Sequence, residues 1–179
     1  MNNSLINRII NGNNYLLVSD YYNLDEYYDI EFSDLRLKTI ISEFKHCKYQ
    51  KEAANLVSRV LIERYEDNIN KYCFVTVPCS NRLKTEKKYN GFSKIVSSIT
   101  GMENGHDFII RYKDSKPKYG FGFESLTYYS IELDIKKINN KKIVLFDDFI
   151  CSGNTVNYIK KRLSWFCKDL NFVFLEKKV

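Results

Sequence analysis

Histidine is nearly missing from this 179-residue chain, which holds only His46 and His106. A site built from several imidazole ligands is thereby excluded, and a Ser-His-Asp arrangement would have to draw on one of two histidines in plain surroundings. Each reads more simply as an exposed or core side chain. Proline (two) and glycine (seven) are also sparse, and no Pro-rich or Gly/Ser-rich stretch divides the chain. Without linker or internal repeat, the length suits one ordinary hydrophobic core, so a single domain is expected. The five cysteines, Cys47, Cys73, Cys79, Cys151 and Cys167, are odd in number and form no Cys-x-x-Cys pair. Neither a disulfide framework nor a zinc ribbon is indicated, and reduced thiols are expected. No apolar run approaches the roughly 20 residues of a membrane helix, and Met1-Asn2-Asn3-Ser4 lacks the profile of a signal peptide. The expectation is a cytoplasmic protein with no membrane partner.

What is present suits a folded protein: 44% apolar, 28% charged and 15% aromatic residues. The net charge of +6 comes mostly from lysines scattered among acids. That pattern reads as a solvated surface with some of the excess serving phosphate ligands. With no stacking motif or recognition helix, nucleic acid is set aside as a partner.

Along the chain, Asn11-Gly12-Asn13-Asn14 signals a turn before Tyr15-Leu16-Leu17-Val18, a candidate strand, and an acidic, tyrosine-rich stretch follows. Residues 1–32 are expected to form an N-terminal extension or hood element and 33–179 the main domain. Ser33 is placed to cap a helix with Leu37, Ile40, Ile41 and Phe44 on one face, and the same spacing resumes at Ala53, Leu56, Val57, Val60 and Leu61. Two helices, or one interrupted helix, are predicted from about Ser33 to Tyr65. Tyr72 to Val77 is a buried strand stopped by Pro78. A polar, lysine-rich loop follows, then a short helix carrying Phe92, Ile95, Val96 and Ile99 and closed by Gly101, then a strand at Phe108-Ile109-Ile110. Ile143 to Phe146 is the next strand, with a helix marked by Val156, Ile159, Leu163 and Phe166 and a closing strand at Phe172 to Leu175. Such alternation predicts an α/β fold, a mainly parallel sheet flanked by helices, with ligands at the carboxyl ends of its strands.

The loop after Phe146 carries the clearest chemistry. Two acids, Asp147 and Asp148, end an apolar strand, and Phe149-Ile150-Cys151-Ser152-Gly153-Asn154-Thr155 opens the next helix. A glycine lets backbone N–H groups converge, the helix N-terminus adds partial positive charge, and Ser152 and Thr155 can add hydroxyls, which together make a phosphate cradle. Adjacent carboxylates do not welcome a phosphate, so they need vicinal sugar hydroxyls or a divalent cation as partner. A ribose 5-phosphate satisfies both halves.

This segment resembles the phosphoribosyl pyrophosphate (PRPP) motif of type I phosphoribosyltransferases. The resemblance implies that Asp147 and Asp148 hold the ribose hydroxyls and carry catalysis, with Mg²⁺ as cofactor at the same acids, and that Cys151, Ser152, Gly153, Asn154 and Thr155 bind the 5-phosphate. Upstream, Phe44-Lys45 and its helices, Val77-Pro78, Arg82 and Asn90-Gly91-Phe92-Ser93 resemble the ComF-like, competence-associated branch of the family. The last of these boxes lacks the branch's arginine and asparagine. The same resemblance gives Cys79, Ser80, Asn81 and Arg82 to the pyrophosphate loop, where backbone amides and Arg82 suit an anionic leaving group. It gives the polar, basic stretch from Arg111 to Phe123, with Arg111 and Lys116, to a flexible hood. The function implied is transfer of the phosphoribosyl group from PRPP to a small-molecule nitrogen acceptor with release of pyrophosphate. The alternative is a PRPP-binding regulator or competence-like accessory protein without catalysis. Some purine-type members carry an aspartate where Cys151 stands, which argues against that substrate group. A homodimer is compatible with these residues and not required by them.

Overall fold

Helices and strands alternate as the apolar runs predict. The computed structural model describes residues 8–10, 13–24, 34–113 and 130–178. Its strands are β1 (Arg8–Ile10), β2 (Asn13–Leu17), β3 (Tyr72–Thr76), β4 (Glu103–Asn104), β5 (Ile109–Arg111), β6 (Ile131–Leu133), β7 (Lys142–Ile150) and β8 (Asp169–Lys177). The helices are α1 (Val18–Leu24), α2 (Asp34–Phe44), α3 (Gln50–Tyr65), α4 (Arg82–Thr85), α5 (Gly91–Thr100), α6 (Ile135–Ile138) and α7 (Asn154–Leu163). A 3-10 turn covers Glu66–Lys71, and a π-wound turn, Glu86–Asn90, joins α4 to α5.

Six strands form one sheet in the order β1-β2-β8-β7-β3-β4, parallel from β2 to β4 and antiparallel only at β1. Side chains alternate across it. Leu16, Phe74, Val144, Phe146, Val173 and Leu175 face a core shared with α1, α2, α3 and α5. Tyr15, Cys73, Val75, Ile143, Leu145, Phe172 and Phe174 face a second core shared with α6, α7 and the β5–β6 pair. Burial on both faces explains why β3, β7 and β8 read as unbroken apolar runs.

Three features depart from the sequence reading or extend it. The lysine-rich segment after Pro78 is helical, not a loop. Asn81 Oδ1 accepts from the Lys84 N–H at 2.7 Å as an N-cap, and Thr85, Tyr89, Phe92 and Val96 are all buried at helical spacing. Next, the strand expected at Phe108 to Ile110 is β5, which pairs antiparallel with β6 outside the main sheet. The parallel neighbour of β3 is instead the two-residue β4. Finally, within the segment read as an extension or hood, β2 pairs in parallel with β8, and Tyr15, Leu16 and Leu17 are buried. The helix cap assigned to Ser33 lies outside the described residues. Gly101, at φ 73, ends α5 in the left-handed conformation that glycine adopts without strain.

Candidate active site

The site begins with a mismatch in strand length. β3 pairs with β7 from Tyr72↔Lys142 to Thr76↔Phe146, and Val77 N–H donates to the Phe146 carbonyl at 2.8 Å. Beyond that point β7 runs on to Ile150 held by β8 alone, through Asp147↔Phe174 and Ile150↔Lys177. Asp147 and Asp148 therefore stand past the end of β3, on the part of β7 that only β8 holds. From β3 the chain continues through α5 on one face toward β4, and from β7 through α7 on the other face toward β8. The gap between β3 and β7 is therefore a topological switch point, where ligands of open α/β sheets bind.

Both acids are half-buried, and both are met by one turn of helix. From the π-wound Glu86–Asn90 segment, Lys88 Nζ donates to Asp148 Oδ2 at 2.5 Å and the Tyr89 hydroxyl donates to Asp147 Oδ1 at 3.3 Å. The Asp148 N–H also donates to Asp147 Oδ1, at 2.9 Å. The Lys88 side chain is 4% exposed, and its ammonium lies 5.2 Å and 5.0 Å from the ring centroids of Phe44 and Tyr89. Below it Phe92 packs on Phe44 and Phe146, with centroids 4.9 and 4.7 Å apart. The carboxyls are driven apart by this environment. Burial, reinforced by the neighbouring Asp148 charge, raises the Asp147 pKa well above the usual carboxylate range. Burial also acts on Asp148, but the Lys88 ammonium and the hydrogen bonds from Asp147 and Lys88 outweigh it and lower that pKa.

The loop after β3 closes the other side. Cys79 N–H donates to Thr85 Oγ1 at 2.9 Å, and the Thr85 hydroxyl donates to the Asn81 carbonyl at 2.9 Å, so the turn is tied to the first helical residues. Ser80 and Asn81 are half-buried, and Arg82 is exposed as the first residue of α4. The Cys79 thiol is pushed up to about 11 by burial, with Asp147 and Asp148 adding to the shift and Lys88 opposing it. The loop and the acid pair thus share one electrostatic environment.

Beyond the acids, β7 ends at Ile150 and a three-residue bend leads into α7. Gly153, at φ 74, is the N-cap, and its carbonyl accepts from Asn157 N–H at 2.9 Å. Ser152 Oγ accepts from Asn154 N–H at 3.5 Å. Cys151, Ser152 and Asn154 are exposed and Thr155 is half-buried, leaving this helix N-terminus open to solvent. An anion meeting it would find backbone N–H groups and the positive end of the helix dipole.

The two residues expected in a hood, Arg111 and Lys116, fare differently. Arg111 is a buried residue of β5, 4% exposed, with Nη1 donating to the Lys113 carbonyl at 3.3 Å. Lys116 lies outside the described residues. His106 proves less plain than its sequence context: Nδ1 lies 3.3 Å from Thr76 Oγ1, at the end of β3, and Nε2 lies 3.3 Å from Glu86 Oε1. Lys88 and Tyr89 are absent from the sequence-level site. The signal for them was there, because extending the stripe of Phe92 and Val96 back by one turn puts Tyr89 and Lys88 on the same inward face.

Magnesium prefers six oxygens in near-octahedral geometry and usually combines one or two carboxylates with waters and substrate phosphates. Among the described residues no group of three or more His, Cys, Asp and Glu side chains converges as a metal site. Asp148 Oδ2 already accepts from Lys88, and Asp147 Oδ1 from Tyr89 and the Asp148 N–H. Such a donor set fits an ion held chiefly by a ligand's own oxygens, not an all-protein cage.

No protein-family model matches the chain, and no curated protein is similar to it in sequence. Among solved structures, a hypoxanthine-guanine phosphoribosyltransferase from Bacillus anthracis is similar at a TM-score of 0.40 and 17% identity, over 78% of this chain and 72% of that one. A hypoxanthine phosphoribosyltransferase from Staphylococcus aureus is similar at a TM-score of 0.39 and 16% identity, over 77% and 65%. Likeness at this distance says nothing of substrate or chemistry. Among the described residues no helix is long and apolar enough to cross a membrane.

Proposed function

We propose that the protein binds PRPP at the β3–β7 switch point and transfers its phosphoribosyl group to a small-molecule nitrogen nucleophile, releasing pyrophosphate. One observation carries this reading: the acid pair and the glycine-opened N-terminus of α7 lie at the carboxyl end of one strand, past the point where β3 stops. A sugar phosphate has hydroxyls for the first and an anion for the second. Asp147 and Asp148 would hold the ribose hydroxyls, Cys151 to Thr155 the 5-phosphate, and the Cys79 to Arg82 turn the pyrophosphate. Bond breaking at C1 develops positive charge on the ribose, which an ionised Asp148 stabilises, while the loops hold both reactants in line. Mg²⁺, when bound with PRPP, would neutralise the departing pyrophosphate. No covalent intermediate on the protein is needed.

Calorimetric titration of PRPP with Mg²⁺ into the wild type and into Asp147→Asn/Asp148→Asn tests the site. Binding that vanishes in the folded double variant supports the reading and leads to an acceptor screen, whereas a wild type that binds no PRPP sinks it.

Binding without transfer is the second reading. It is favoured by the box at Asn90 to Ser93, where Phe92 and Ser93 are fully buried and Ser93 Oγ donates to the Asn90 carbonyl at 3.2 Å. Those side chains are turned into the core and away from an acceptor. Tight PRPP binding with no pyrophosphate release across purine, pyrimidine and amine acceptors would decide for it.

A further inference from the structure

The reaction sketched above makes no use of Lys88. Yet a lysine with a side chain only 4% exposed is uncommon, and this one is fixed by a short ion pair to a residue of the site. An ionised carboxylate at the mouth of a phosphate cradle opposes the ligand it is meant to help hold, because its charge repels the phosphate. A divalent cation on the acids is one remedy. Here Lys88 Nζ already donates to Asp148 Oδ2 at 2.5 Å, while the same π-wound turn sends the Tyr89 hydroxyl to Asp147 Oδ1. A one-residue widening of a helical turn is a device often found at functional sites. The aromatic floor of Phe44 and Tyr89 beneath the ammonium favours a cation at this point and shields it from water.

Resting on the reading of this strand end as a sugar-phosphate site, we propose that Lys88 is a positioning residue that occupies the place of a divalent cation on Asp148, so that the ribose 5-phosphate portion of the ligand binds without metal on the acids. The ammonium fixes Asp148 Oδ2, and a sugar hydroxyl would donate to Asp148 Oδ1. A Mg²⁺ ion on the same carboxylate would stand close to that ammonium and be repelled by it. Any magnesium needed for PRPP then travels on the pyrophosphate, outside the acid pair.

Ribose 5-phosphate, which lacks the pyrophosphate, separates the two roles. Titrated calorimetrically into the wild type, it is expected to bind equally well, within about twofold, in excess EDTA and in excess Mg²⁺. Lys88→Met is expected to bind about tenfold or more weakly in EDTA and to recover part of the loss in Mg²⁺, while Lys88→Arg keeps metal-free binding. If Lys88→Met fails to fold, the wild type still decides through the ¹⁵N resonance of the Lys88 ammonium. A signal that stays hydrogen-bonded when ribose 5-phosphate binds in EDTA supports the inference, and its release to solvent overturns it. Wild-type binding that requires Mg²⁺, or a Lys88→Met variant that binds normally in EDTA, also overturns it while leaving the sugar-phosphate reading intact. Failure of both ribose 5-phosphate and Mg²⁺-PRPP to bind removes the functional reading itself.

Discussion

Asp147 and Asp148 are neighbours in sequence with opposite electrostatic fates. Asp148 is held ionised by Lys88, so its folded pKa lies below the unfolded one. Its contribution to stability is fully present above the ordinary aspartate value and is lost as pH falls through the folded value. Asp147 has its folded pKa raised, so the native state clings to a proton that the unfolded chain releases. That group costs stability as pH rises from the ordinary carboxylate value through its folded value. Asp148→Asn leaves the Lys88 charge buried without its partner and is expected to destabilise by about 2–4 kcal/mol at neutral pH. Asp147→Asn is expected to be neutral or stabilising there and to flatten the decline on the alkaline side. Urea denaturation of the three proteins across a pH series reads both effects, and an equal response to the two substitutions would contradict the assignment. The sequence showed the acid pair but not this asymmetry. Lys88 stands in a run with Lys84 and Lys87, both exposed, and differs from them by lying one turn before Phe92 on the buried face.

The elements around the site were legible where hydrophobic periodicity was strong and obscure where polar residues are structural. α2, α3, α5 and α7 follow their apolar stripes, and β3, β7 and β8 their apolar runs. The strand β7, by contrast, extends four residues past Phe146, because pairing to β8 continues through the two acids to Phe149 and the buried Ile150. A similar effect hid the helical character of Arg82–Asn90, whose inward face holds a threonine, a lysine and a tyrosine. Gly153 is the element-scale residue on which the proposed phosphate cradle depends. At φ 74 it turns the chain from the strand end into α7, and its carbonyl accepts the first helical bond. Gly153→Ala places a Cβ in the left-handed region and is expected to cost about 1–2 kcal/mol. Because the strain bears on the bend that aims the N–H groups of α7, ribose 5-phosphate affinity should fall by more than global stability alone explains. Thermal unfolding paired with calorimetry checks this, and unchanged affinity in a folded variant would place the phosphate elsewhere.

At the scale of the molecule, two cores meet across one sheet, and the candidate site lies where the helical connections change face. That architecture follows from the alternation of buried strand and amphipathic helix, and it was foreseeable. The role of the N-terminal region was not, because its strand is short and stands among asparagines and tyrosines that read as turn and surface. β2 pairs with the full-length strand β8, placing Tyr15 and Leu17 in one core and Leu16, Val18 and Tyr22 in the other. Burial of five such side chains at about 1.5–3 kcal/mol each is worth on the order of 10 kcal/mol before entropy is counted. A whole domain retains only about 5–15 kcal/mol. A fragment of residues 25–179 is therefore expected to lose cooperative unfolding in urea and its near-ultraviolet circular dichroism, and the exposed edge of β8 should promote aggregation. A fragment that unfolds cooperatively near the intact protein's midpoint would instead show that residues 33–179 stand as a domain by themselves. In that case the region before them would be an appendage, and the acid pair should bind ribose 5-phosphate without it.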